Sequence, residues 1–175
     1  ICTVMVLLEK LMKKMLLACN HFWMIEKNFQ KELRQPTIKF LPCRGVDKSK
    51  IAVFGYCFGG LVSLDLARTG VDLRGSASFH GFLAGPEEPI NEQIKAKILA
   101  MHGMKDPMVG EDQMQSFYKE MSEKDVDWQL HIYGDSMHSF TNPEANNPDF
   151  GTVYSKEADR RSWMLLMDFL EEVFS

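Results

Sequence analysis

A cysteine set among glycines is the first chemistry this chain offers. In Ile51-Ala52-Val53-Phe54-Gly55-Tyr56-Cys57-Phe58-Gly59-Gly60, a short apolar run meets a Gly-x-Cys-x-Gly-Gly turn, and Leu61 to Arg68 leave it with helical patterning. So sharp a turn from strand to helix suits a nucleophile. It lifts Sγ of Cys57 above a sheet in a strained backbone conformation and aims the Phe58 amide N–H into the same space. The N-terminus of the helix that follows favours an oxyanion and a thiolate. Glycines two residues either side leave room where strand and helix would otherwise collide. The plainer reading is a tight turn around a buried, inert thiol. Only an acid and a base elsewhere in the chain displace it.

In a nucleophile-elbow arrangement the acid and then the base follow the nucleophile, each on a loop after a later strand. Lys97-Ile98-Leu99-Ala100-Met101 reads as a buried strand, and it runs into a loop, His102-Gly103-Met104-Lys105-Asp106-Pro107. Trp128-Gln129-Leu130-His131-Ile132-Tyr133 alternates as a strand does and opens into Gly134-Asp135-Ser136-Met137-His138-Ser139-Phe140. Asp106 is the candidate acid and His138 the candidate base. Other histidines fit less well. His102 at a strand end reads as structural. His80 precedes the acid and would line the pocket, His131 lies within a strand pattern, and His21 belongs to a solvated helical segment. Asp135 reads as a turn residue. Asp149-Phe150-Gly151 lacks the glycine-rich and catalytic-loop motifs that would make it a kinase metal site.

These motifs together resemble the dienelactone hydrolase family of α/β-hydrolases from Ile51 to Ser175. The likeness rests on Gly55-Tyr56-Cys57-Phe58-Gly59-Gly60, Phe79-His80-Gly81, His102-Gly103 with Asp106-Pro107, His138-Ser139-Phe140-Thr141-Asn142-Pro143, and a closing helix with Arg161-Ser162-Trp163. The resemblance implies a triad of Cys57, Asp106 and His138, with the Phe58 amide as one oxyanion donor. It further implies a small-molecule ester or lactone substrate, cleaved through an acyl-thioester. A thiolate leaves more readily than an alkoxide, so reactive acyl donors such as lactones and aryl esters suit it better than amides. The family's second oxyanion donor, a glutamate that controls the thiol and an arginine that grips the substrate carboxylate lie upstream, and no residue of this chain is assigned to them. Ser139-Phe140-Thr141-Asn142 stands where those enzymes place a further arginine, which argues against dienelactone itself as substrate. A catalytically impaired relative serving as a binding or assembly module is the alternative. A peroxide-sensing role for Cys57 is a third and weaker one.

The 175 residues, 45% hydrophobic and 25% charged, predict one globular domain over 1–175. Within it, 1–35 form an atypical helical segment and 36–175 the family-like region. A net charge of −4 gives no reason to expect nucleic acid or an anionic membrane as partner. The four cysteines (Cys2, Cys19, Cys43, Cys57) show neither Cys-x-x-Cys pairing nor ligand-like spacing with histidine. Neither disulfides nor a metal is expected, nor any other cofactor, and free thiols fit a reducing cytoplasm. No run reaches the roughly 18–20 apolar residues that span a bilayer, and no signal-peptide pattern is present.

Residues 4–33 read as amphipathic helix, with Leu7, Leu8, Leu11, Met12, Met15 and Leu16 on one side. Pro36 and Pro42 bracket a connector, and Val46-Asp47-Lys48-Ser49 turns into the elbow strand. Further strands are expected at 73–79, 97–101 and 128–133, and helices at 111–124 and about 155–174. The last should bury Trp163, Leu166, Met167, Leu170 and Phe174. Between His138 and that helix, 142–151 reads as a polar loop. The predicted class is α/β, a parallel α/β-hydrolase-like sheet of about four strands with flanking helices. The N-terminal half of the fold is shortened or replaced by helices, which leaves the elbow strand at an apolar edge. A fragment or shortened homologue, cover by the N-terminal helices, or a homo-oligomer covering that edge would each account for it.

Overall fold

The computed structural model describes residues 47, 49–86, 90 and 92–175. The helical reading of 4–33, the connector between Pro36 and Pro42, His21, Cys2, Cys19 and Cys43 all lie outside the described residues. At the first described position the Asp47 carboxylate accepts from the Ser49 N–H at 2.9 Å, the local bond that makes this turn.

Among the described residues four strands form one parallel sheet in the order β1-β2-β3-β4. They are β1 (Ala52–Tyr56), β2 (Gly75–Phe79), β3 (Lys97–Gly103) and β4 (Trp128–Tyr133). Helices α1 (Phe58–Arg68) and α2 (Glu111–Glu123) contribute Leu64, Ala67, Met114, Phe117 and Met121 to one core, on Val53, Ile98 and Ala100. Helix α3 (Lys156–Phe174) lays Leu166, Phe169 and Val173 on Ala52, Ala77, Leu99 and Met101 of the other face. Alternate strand residues thus serve alternate cores, as a pleated sheet covered on both faces requires. The expected α/β class and its four parallel strands are what the structure has.

β2 shows why propensity alone would misplace a strand. Gly75-Ser76-Ala77-Ser78 is poor strand sequence, yet all four are buried. Small size is the reason. A Cβ on Gly75 would lie 2.8 Å from the Phe169 ring. On the other face the Ser76 hydroxyl donates to Ser63 O at 2.8 Å, and Ser63 Oγ reaches Ala77 O at 2.8 Å. The elbow helix therefore lies close enough to β2 for side chain–backbone bonds to run in both directions. Its far end is held by Arg68, which is buried and bonds Asp65 Oδ1, Glu120 Oε2 and Leu83 O, each at 2.8 Å. Removing one partner would strand a buried charge, so this cluster fixes α1 against α2 more by penalty than by net gain.

Several expectations need correction. β3 runs on through His102 and Gly103, expected in the loop, because the ladder to β4 continues to Gly103↔Tyr133. The supposed polar loop contains a small antiparallel hairpin, β5 (Asn146–Asn147) with β6 (Thr152–Val153). On α3 the inward stripe is Ala158, Ser162, Leu166, Phe169 and Val173, not one through Trp163 and Met167. One residue turns a helix by about 100°, so with Ser162 facing in, Trp163 is left 46% exposed and Met167 37%. Leu170 and Phe174 are only partly buried. Among the described residues β1 is one of the two edge strands, with β4 at the opposite edge, yet Ile51, Ala52 and Val53 are buried.

The glycines of the turn divide their labour differently from the symmetrical expectation. A Cβ on Gly55 would sit 2.2 Å from Gly59 O, whereas a Cβ on Gly59 would meet nothing within 4 Å. Gly55→Ala should therefore destabilise by at least ~2 kcal/mol through overpacking against backbone. Gly59→Ala should be neutral or stabilising by up to about 1 kcal/mol from reduced chain entropy. Urea midpoints of the two variants check this, and equal losses in both would refute it.

Candidate active site

All the candidate groups sit where strands end. Cys57 follows β1 directly, its N–H bonding Phe79 O at 2.9 Å, and its backbone is held at φ 54, ψ −120. A non-glycine residue there costs on the order of 1–3 kcal/mol, borne by the packing around it. Phe58 is the first residue of α1. Asp106 follows β3 in a turn closed by its own N–H to Gly103 O at 3.0 Å. Its Oδ1 accepts from the Met108 N–H at 2.8 Å, which leaves Oδ2 aimed the other way.

His138 follows β4 after the turn Gly134-Asp135-Ser136. Its N–H donates to Gly151 O at 2.9 Å, and its own carbonyl accepts from the Val153 N–H at 3.1 Å. The β5–β6 hairpin thus clamps the His138 backbone. Two glycines, Gly103 and Gly151, let this segment close on Asp106. A Cβ on Gly103 would lie 2.6 Å from Ser136 O, and one on Gly151, which has φ 81, would run into the Pro107 ring.

The side chains form one line. His138 Nδ1–H donates to Asp106 Oδ2 at 2.8 Å, and Nε2 lies 3.1 Å from Cys57 Sγ. Asp106 and His138 are buried, while Cys57 keeps part of its surface in solvent. Burial by itself would lower the His138 pKa. The bonds to Asp106 and Cys57 outweigh it and raise the imidazole to about 9. Protonated His138 is thus the favoured form near neutrality, facing sulfur on one side and carboxylate on the other.

The remaining histidines fall out distinctly. His131 is exposed on β4. His102, at the end of β3, is buried, and burial holds it below its ordinary value against the pull of Asp106. His80 is buried against His138, the two rings 5.2 Å apart and steeply tilted. Burial first, and the His138 charge second, lower His80 to about 3. Sequence order places His80 merely on a pocket wall. Asp135 is fully exposed and pairs with Lys105 at 2.9 Å, in keeping with a turn residue. The Asp149-Phe150-Gly151 triplet is the tip of the β5–β6 hairpin. Among the described residues no cluster of three or more His, Cys, Asp or Glu side chains could hold a metal ion, and no helix is long and apolar enough to cross a membrane.

Known proteins of the same kind can be set beside this geometry. A family model described as the dienelactone hydrolase family matches residues 16–174. An uncharacterised Caenorhabditis elegans protein is 39% identical over 141 residues, covering 79% of this chain and 88% of its own. The solved structure of m3DLH superposes with a TM-score of 0.78 at 31% identity, covering 94% of this chain and 69% of that one. A Yersinia pestis protein provisionally named a carboxymethylenebutenolidase is 23% identical over 136 residues. The chain spans 49% of that bacterial relative's length.

The raised His138 pKa carries a sign. A histidine lifted from about 6.5 to about 9 adds stability that is fully present below about pH 6.5 and is lost as pH rises through about 9. The gap in thermal midpoint between the native chain and Asp106→Asn should therefore be widest near pH 6 and shrink by pH 9.5. A gap that widens with pH would contradict the assignment.

Proposed function

The chain belongs to the dienelactone hydrolase family, and from that premise we propose that it hydrolyses carboxylic esters or lactones through Cys57, with His138 as base and Asp106 as orienting acid. The observation that carries this reading is the unbroken line Sγ–Nε2 at 3.1 Å and Nδ1–Oδ2 at 2.8 Å, laid across the C-terminal ends of parallel strands. Ligand chemistry in open α/β sheets favours that edge. The provisional name of the Yersinia relative points to a lactone, and the proposal extends that substrate class to this chain.

His138 holds the proton that Cys57 gives up, and the sulfur attacks the acyl carbon. A C–S bond forms while the carbonyl electron pair moves onto oxygen, beside the Phe58 amide at the start of α1. Collapse expels the alkoxide, which takes the proton from His138 Nε2; in a lactone that alkoxide stays tethered to the acyl group. Water then gives a proton to Nε2 and attacks the thioester. The second tetrahedral adduct expels the Cys57 thiolate and releases the acid. Asp106, bound to Nδ1–H throughout, holds the tautomer and stabilises the imidazolium without taking its proton. A reducing cytoplasm would preserve the thiol that this cycle needs.

Hydrolysis of 4-nitrophenyl acetate and of an aryl lactone tests the reading. Cys57→Ala and His138→Ala should each lower kcat by at least ~10³-fold, the loss typical when one member of such a unit is removed. Mass spectrometry of the quenched reaction should find an acetyl group on Cys57 that disappears with time. Equal turnover with and without the thiol would end the proposal. Ligand binding with no turnover, or an adduct that never hydrolyses, would favour the binding-module alternative.

A further inference from the structure

We infer that His80 is a positioning residue for His138: its ring, tied through Nε2 to Thr141 Oγ1, is the wall that keeps His138 aligned on the Cys57 sulfur. This deepens the hydrolase reading above and rests on it. The tie is 2.8 Å long and joins the end of β2 to the loop that carries the base. The His80 backbone N–H is fixed to Met101 O at 2.8 Å, and the residue sits at φ 40, a left-handed conformation rare outside glycine. That conformation places the ring edge-on to two others, His138 at 5.2 Å and Phe140 at 5.1 Å. Backbone outliers that surrounding packing must enforce concentrate at functional sites.

The need for a wall comes from the reaction itself. During turnover His138 Nε2 leaves the sulfur to serve the departing alkoxide and then a water. At those moments the ring is held at Nδ1 alone and can swing. A rigid ring packed against it limits the swing, and displacements of about 1 Å are enough to cost up to ~10²-fold in rate. The wall must also carry no charge beside an imidazolium. A histidine buried to 3% exposure meets that condition, and its low pKa agrees. The titratable groups acting on His138 from the packed elements are Cys57 at the elbow, Asp106 after β3, His80 after β2 and His102 at the end of β3. Cys57 and Asp106 grip the imidazole itself, whereas His80 grips the loop three residues further on, through the Thr141 hydroxyl.

Thr141→Val removes the hydroxyl while leaving His80 in place, and Thr141→Ser restores it. The first readout is Cys57 alkylation by iodoacetamide across about pH 5–10, resolved by peptide mass spectrometry from Cys2, Cys19 and Cys43. It needs no ester turnover. Thr141→Val should slow Cys57 alkylation at neutral pH about five- to tenfold and displace its pH profile. It should lower kcat on 4-nitrophenyl acetate by a similar factor with KM within about twofold. Thr141→Ser should return both, and His80→Phe, a ring without the tie, should fall between. An unchanged alkylation profile in Thr141→Val would overturn the inference. So would a Thr141→Ser variant as impaired as Thr141→Val, with losses that track its thermal midpoint. If the native chain turns over no ester yet alkylation responds as described, positioning stands and the hydrolase reading falls.

Discussion

Parallel register is the constraint on which everything else in this fold depends. Tyr56 pairs with Phe79, Phe79 with Met101, and Gly103 with Tyr133, so successive strands run out at nearly one level. The residue that follows each strand end is thereby delivered to the same edge: Cys57 after β1, His80 after β2, Asp106 a turn beyond β3, His138 a turn beyond β4. No two of these are near in sequence. Parallel strands need long crossover connections, helical here from β1 to β2 and from β3 to β4, which is why tens of residues separate groups that end up within hydrogen-bond reach. A slip of one residue in any ladder would turn the strand's side chains to the opposite face and break the line.

Close approach of backbone to backbone is the second condition, and missing side chains supply it. Gly55 stands against the Gly59 carbonyl, Gly60 and Gly81 share the space beside Ser78 Oγ, and Gly103 admits the 136–137 segment. The small residues of β2 allow α1 and α3 to descend on the sheet from both faces. Bulk at any of these places would push an element outward, and the site with it. The cost is a set of strained or partly satisfied groups, the left-handed backbones of Cys57, His80 and Ser139 among them. Buried networks such as Arg68 with Asp65 and Glu120 keep the surrounding elements from relaxing that strain.

Much of this is legible in the residues. The elbow announces itself because glycine, cysteine and glycine at that spacing have few other uses, and the apolar runs at 97–101 and 128–133 are strands by length and pattern. Asp106 and His138 stand out as the acid and the histidine on loops after those strands, in the expected order. The α3 stripe is misjudged from sequence because a helix with apolar residues on several sides does not declare which side is covered. Packing on the sheet selects it, including the close approach of Phe169 and Val173 to Gly75. The β5–β6 hairpin is hidden because its strands are two residues long and polar, held by the His138 backbone rather than by apolar alternation. The motif suggests for Gly59 a steric role that belongs to Gly55, a distinction that depends on where the Gly59 carbonyl points.

Residue types and their spacing by themselves determined the alternation of strand and helix, the turn that exposes a thiol, and the kinds of group able to act on it. Local patterns carry that information because turn chemistry and side-chain periodicity act over a few residues. Tertiary structure alone decided that His138 meets both Asp106 and Cys57, that His80 and not His102 lies ring to ring with it, and that Thr141 ties that ring to the loop. Those outcomes rest on distances between segments as far as 81 residues apart, and such distances are set by ladder register and by how deeply helices settle on small residues.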